Sequence, residues 1–268
     1  MFDAQSSAAL MLAVIAGLST LIGAIFIIIT GKRSDYLLTL SLGFAAGVML
    51  SAAFADLMPE GEEYLSAWGG DNWGVILCMF FVGIGIVLAN AVDKAAPDDC
   101  HDGHHHHHDH FAEKRNECEG DVSRVGWMSM VAIGLHNFPE GVALYFAGHE
   151  DFKLGIVLAV AIALHNIPGG ITIAAPVYYS TGSKMKAFLY TLIPSLIQPL
   201  GALLASLVLK DVMNDFIMGM MFSLVAGIML FLSLIELYPM ARGYHHPRAG
   251  SVAMFAGLLL MPITHLMH

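Results

Sequence analysis

Charge is what this sequence lacks. Of its 268 residues only 13% are Asp, Glu, Lys or Arg, roughly half the ~25% usual in soluble domains, while 57% are hydrophobic. Disorder is excluded, because a disordered chain is poor in apolar residues and rich in charge. A water-soluble domain is excluded too, since a chain this long cannot enclose so much apolar surface. Basic residues are the scarcer sign, 12 Lys and Arg against 22 Asp and Glu, so no basic face is left for nucleic acid. The three cysteines are an odd and sparse set: Cys78 lies in an apolar block, and Cys100 and Cys118 flank a His-rich segment. They do not make a disulfide framework. No Lys or Arg precedes Lys32, so the basic start of a secretory signal is missing and the first apolar block reads as a retained helix. A G-x-x-x-x-G-K-[ST] phosphate loop is also missing, and ATP is not an expected partner.

What is present comes in long apolar blocks rather than in strands of alternating polarity, which predicts helices and not a β-barrel. Eight blocks reach the ~20 residues that span a bilayer: 8–30, 36–58, 73–93, 125–148, 153–180, 185–209, 213–239 and 249–267. The expected fold is therefore all-α, a polytopic membrane protein of eight transmembrane helices in one membrane domain. Residues 1–93 supply the first three, 94–124 form a hydrophilic loop, and 125–268 supply the other five. Placing the N-terminus outside puts ten of the twelve cations in inner loops, leaving Lys153 and Lys210 outside. The positive-inside rule thus predicts both termini outside and the long loop in the cytoplasm.

Ionisable groups in hydrocarbon are costly, so each asks for a reason. His136, His165 and Gln198 fall about halfway along the fourth, fifth and sixth blocks, which suggests one shared site at one depth. His136 and Glu140 are spaced i, i+4 and share a helical face, a spacing at which imidazole and carboxylate can hold one divalent cation. The segment Leu135-His136-Asn137-Phe138-Pro139-Glu140-Gly141 is echoed by Leu164-His165-Asn166-Ile167-Pro168-Gly169-Gly170. Each proline removes an N–H and frees a carbonyl four residues back, those of Leu135 and Leu164. Broken helices beside midplane polar groups are a mark of transporters. An imidazole-rich donor set suits zinc or iron better than magnesium or calcium.

On these motifs the chain resembles the ZIP (Zrt-, Irt-like protein) family of divalent metal transporters, particularly its bacterial branches. The resemblance rests on His-Asn-Phe-Pro-Glu-Gly in the fourth block and His-Asn-x-Pro in the fifth. Gly43 to Ser51, Val225 to Met229 and the His-rich loop add to it. It implies a ZIP-type bundle whose first metal is held by His136, Glu140 and His165, with Met49 as a soft ligand. Asn137 and Asn166 match positions near a second metal. It also implies elevator-like motion of helices 1, 4, 5 and 6 against 2, 3, 7 and 8. The chain departs from the family pattern at Gly169 and Gln198, where carboxylates are usual. With Asn137, Asn166 and Gln198 all neutral, one metal is expected rather than two, since two dications near one carboxylate repel strongly.

The acids of the outer segment, Asp56, Glu60, Glu62, Glu63 and Asp71, have no Lys or Arg among them and suit a cation entrance. Asp56 lies seven residues from Met49 and so on much the same face. His149, Glu150 and Asp151 add potential outer ligands, and Glu236 suits the exit. The loop histidines His101, His104, His105, His106, His107, His108 and His110, with Asp102 and Asp109, suit metal buffering. The expected function is uptake of Zn²⁺, with Fe²⁺, Mn²⁺ and Cd²⁺ as further cargo and no resident cofactor or ATP. The bilayer is the expected surrounding, and a homodimer is left open. Two alternatives stand beside it: a metal sensor without transport, motivated by Gly169 and Gln198, and an intramembrane metalloenzyme, for which no spare base is found.

Overall fold

The computed structural model of the chain describes residues 3–31, 34–95, 121–208 and 214–264. Among them the fold is all-helical. The rods are α1 (Ala4–Thr30), α2 (Asp35–Gly69), α3 (Asp71–Ala95), α4 (Asp121–Glu150), α5 (Phe152–Thr181), α6 (Lys184–Leu207), α7 (Asp215–Gly243) and α8 (Pro247–Thr264). Their starts follow from short polar side chains that take the first free amides. Asp3, Ser34, Asp151, Ser183 and Asn214 each accept a backbone N–H at a helix start. Two of the ends follow from glycine: Gly31 and Gly182 close α1 and α5 at positive φ.

Six rods are long and apolar enough to cross a membrane: α1, α2, α3, α5, α6 and α7. The sequence blocks predict eight. Helix α4 has 30 residues, but His136, Asn137 and Glu140 and its charged first turn dilute its apolar character. Helix α8 offers a shorter apolar stretch, Pro247–Leu260. Large apolar side chains such as Met11, Ile29, Phe80, Val87 and Leu259 are exposed on the outer faces, as a hydrocarbon solvent permits.

One expectation is corrected. Residues 59–72 read as an acidic loop, but α2 continues through Pro59 to Gly69, and the connection to α3 is Gly70 alone, at φ +89°. The reason is a π turn, Ala53–Leu57, in which the Met58 N–H bonds to the Ala53 carbonyl. Proline at the start of the segment after it needs no N–H partner, so the rod survives. Helix α7 repeats the device: Leu232–Leu237 is a π turn, the Tyr238 N–H bonds to the Ser233 carbonyl, and Pro239 follows.

The rods pack as two four-helix groups, α1, α4, α5 and α6 in one and α2, α3, α7 and α8 in the other. Without a hydrophobic drive between helices in lipid, close backbone approach supplies the association. Gly170 lies against the Thr20 carbonyl (α5 on α1), Gly141 against the Gln198 carbonyl (α4 on α6), Gly47 against that of Met254 (α2 on α8) and Gly227 against that of Val82 (α7 on α3). All four join helices of the same group. So do the other glycine approaches in the interior among the described residues. Between the groups, α2 packs against α5 and α4 against α7.

Candidate metal centre

His136 and Glu140 come from α4 and His165 from α5, the two helices of the first group that face the second. Their relative exposures are 2%, 4% and 4%, so water does not solvate them. His165 Nε2 lies 3.2 Å from Glu140 Oε1, and the His136 and His165 ring centroids are 6.4 Å apart. One ligand atom from each residue falls within 4.8 Å of the other two, and among the described residues this is the group of three or more His, Cys, Asp or Glu so arranged. Zinc bonds of about 2.0–2.2 Å put neighbouring donors roughly 3.5 Å apart, so binding asks for a contraction on the order of 1 Å. Among the described residues, Glu140 Oε2 and His165 Nδ1 have no hydrogen-bond partner. A carboxylate buried with an open oxygen is costly until a cation meets it.

The three amide residues are buried beside this cluster but are committed elsewhere, the two asparagines through their donors and Gln198 through its acceptor oxygen. Asn166 Nδ2 donates to Gln198 Oε1 and to the Ala16 carbonyl, both at 3.0 Å, and Asn137 Nδ2 donates to the Pro194 carbonyl at 2.9 Å. These bonds tie α5 to α6 and α1, and α4 to α6, within one group. Their acceptor oxygens, Asn137 Oδ1 and Asn166 Oδ1, stay open. Gly169 offers no donor, and a Cβ there would sit in ordinary contact with Ile133.

Two cavities lie between the groups, displaced in opposite directions along the helices that line both. The first is lined by Asp56, Glu140, Ala143, His165, Met218 and Met229 among others, and so reaches the cluster itself. The second is lined by Met49, Asp93, Ser129, Leu135, Thr172 and Glu236 among others. His136 stands in sequence between Leu135, on the second cavity, and Pro139 and Glu140, on the first.

Of the residues singled out in the sequence, His136, Glu140 and His165 are brought together. Met49 is buried, but it lines the second cavity. Asp56 and Glu236 are half-buried, each within a π turn, on the first and second cavities respectively. Glu60 is exposed on the helical continuation of α2, within electrostatic reach of Asp56 and Glu63. His149 stacks on Tyr145, with ring centroids 5.6 Å apart. The loop histidines His101, His104 to His108 and His110 lie outside the described residues.

Sequence reasoning missed Met229, Met218 and Asp93 as cavity residues. For Met229 the signal was an internal repeat at a constant offset of 180 residues. Ala46-Gly47-Val48-Met49-Leu50 with Asp56-Leu57-Met58-Pro59 in α2 matches Ala226-Gly227-Ile228-Met229-Leu230 with Glu236-Leu237-Tyr238-Pro239 in α7. The start of α2 packs against the end of α7, so the two copies run in opposite directions. Each cavity accordingly receives the acid of one copy and the methionine of the other.

Comparison with known proteins agrees with this architecture. The family model described as "ZIP Zinc transporter" matches residues 5–120 and 91–264. The chain is 37% identical over 262 residues to the zinc transporter ZupT of Streptococcus mutans, covering 97% of each protein. It is 38% identical to that of Chlorobium chlorochromatii, over 96% of each, and 34% identical to that of Clostridium perfringens, over 97% of this chain and 95% of the relative. These names denote transporters, so the metalloenzyme alternative is set aside. The chain is a multi-pass plasma-membrane transporter and belongs to the ZIP zinc transporter family.

Proposed function

We propose that the chain carries Zn²⁺ into the cytoplasm, one ion at a time, through the site of His136, Glu140 and His165. The observation that carries this reading is the position of that cluster, buried between two separately knitted helix groups and open to one cavity. In this reading eight helices span the membrane with both termini outside, which puts Asp56 at the outer mouth and Glu236 with Asp93 at the inner one. Asp56 draws the hydrated cation in by its charge. Glu140 and the two imidazoles replace the water that the ion sheds. Asn137, Asn166 and Gln198 hold α1, α4, α5 and α6 together as the group that moves against α2, α3, α7 and α8. Among the described residues the close glycine approaches stay within each group, which suits such sliding. An inside-negative potential favours the inward step by about 4.6 kcal/mol per 100 mV for a dication. Fe²⁺, Mn²⁺ and Cd²⁺ are competing cargo, and the His-rich segment between α3 and α4 serves as a cytoplasmic acceptor.

The site is mononuclear in this reading. Two dications roughly 4 Å apart repel by about 16 kcal/mol at an effective dielectric of ~20, and a single carboxylate beside neutral amides is a poor counterweight. The same feature supports a second reading, a zinc sensor on this fold that binds without transport, since Gly169 and Gln198 leave the centre one-sided in charge. Uptake of zinc, iron, manganese and cadmium into proteoliposomes, for the wild type and His136→Ala, separates the two. Zinc flux lost in His136→Ala is the expected result. Zinc binding by correctly inserted wild type with no flux would establish the sensor.

A further inference from the structure

The first cavity holds a feature that the charged residues do not account for. Helix α7 lines it with Met218, Met221, Phe222, Val225 and Met229, one helical face running down to the level of Glu140 and His165. Met229 is fully buried there, at the repeat position equivalent to Met49. An apolar plug needs only bulk, and leucine, which follows directly at Leu230, supplies bulk with less conformational entropy to lose on burial. A thioether adds a soft, polarisable sulfur. Across the cavity stand Ala143 and Ala161, which leave room for a flexible side chain to swing, and Glu140 Oε2 is open.

Resting on the one-metal reading of the site, we propose that Met229 is a specificity-determining ligand, giving its sulfur to the cation at His136, Glu140 and His165 while the Asp56 cavity is open. Three protein donors leave a fourth position in a tetrahedral set. Met229 fills it from the cavity that reaches the cluster, and its repeat partner Met49, on the opposite cavity, takes the position over when the groups have moved. The site thus meets a soft donor from whichever face is open, which favours thiophilic Cd²⁺ and Zn²⁺ over Mn²⁺.

The test uses full-length purified protein carrying Cys100→Ser and Cys118→Ser, loaded with one equivalent of Cd²⁺ alone, and Met→Leu substitutions, which keep apolar bulk. X-ray absorption at the cadmium edge counts sulfur neighbours in the wild type, Met229→Leu, Met49→Leu and the double variant, with Met218→Leu as the control on the same cavity. The expected result is a sulfur neighbour in the wild type, reduced in Met229→Leu, absent in the double variant and unchanged in Met218→Leu. In proteoliposomes the ratio of kcat/KM for Cd²⁺ over Mn²⁺ falls about tenfold in Met229→Leu, the scale on which a lost supporting group lowers metal affinity. A sulfur count and a cadmium-to-manganese ratio both unchanged in Met229→Leu would overturn the proposal, as would a cadmium site without sulfur in the wild type. Equal loss for both metals would show a plug rather than a ligand, and would also overturn it. Because the absorption readout needs no flux, a wild type that binds but does not transport sinks the transport reading while leaving this one decided.

Discussion

Replacing Glu140 by Gln is the sharpest test of the site. The substitution is isosteric and keeps an oxygen for His165 Nε2, now 3.2 Å from Oε1, so the helices stay in register. What it removes is the one acidic side chain of the cluster. At 4% exposure, water cannot make up the difference. Removing one partner from a buried charge pair costs about 3–5 kcal/mol. At ~1.4 kcal/mol per decade that weakens zinc by roughly two to three and a half orders of magnitude. The neighbouring control is Asp56→Asn, on the same cavity but half-buried. A solvent-screened charge is worth up to about 1 kcal/mol, so KM for uptake should rise no more than roughly fivefold. Competition against a chromophoric chelator measures the first, and initial uptake rates the second. Zinc affinity of Glu140→Gln within tenfold of the wild type would refute the assignment of the metal to this cluster. A larger effect from Asp56→Asn than from Glu140→Gln would refute the argument from burial.

Gln198→Glu supplies the carboxylate that the centre lacks beside Asn166, and bound zinc measured by mass spectrometry should rise from one to about two per chain; a wild type already holding two at this centre would sink the mononuclear reading. The same variant should melt lower than the wild type without metal, because it buries an unpaired acid, and recover when zinc is added; a melting curve insensitive to zinc would count against a second site. Gly170→Ala drives a methyl into the Thr20 carbonyl and should cost about 1–3 kcal/mol in thermal or denaturant unfolding in detergent. Gly83→Ala, in open space on α3, should be neutral or stabilising by about 0.5–1 kcal/mol. Equal destabilisation by the two would undercut the role given to glycine in knitting each group.

The cluster is legible in the residues alone because the membrane makes it so. An imidazole or a carboxylate inside an apolar block stands out against its neighbours, and i, i+4 spacing places His136 with Glu140 on one face without further information. The capping residues Asp3, Ser34, Asp151 and Asn214 are equally local, and the helix starts lie close to the expected spans. Helix α2 misleads because Pro59 and the acids after it carry the marks of a loop, while the π turn that lets the rod continue is a hydrogen-bond pattern with no side-chain signature. Met229 is hidden differently. Among 17 methionines, most of them in apolar blocks, composition singles out none, and only the inverted repeat and the cavity lend Met229 meaning.

What the sequence determined by itself is local and energetic: that the chain is helical and lives in lipid, where helices begin, and which polar side chains needed a partner. Only the tertiary structure decided the partners. Asn166 reaching Gln198 and Ala16, glycines joining α1 to α5 and α2 to α8, and a cavity touching Glu140 from the Asp56 side all depend on helix pairing between distant segments. The physical reason is that lipid is as apolar as the side chains it meets, so hydrophobicity places a helix in the membrane but does not choose its neighbour. That choice belongs to close packing and to buried hydrogen bonds, which exist once the helices have met.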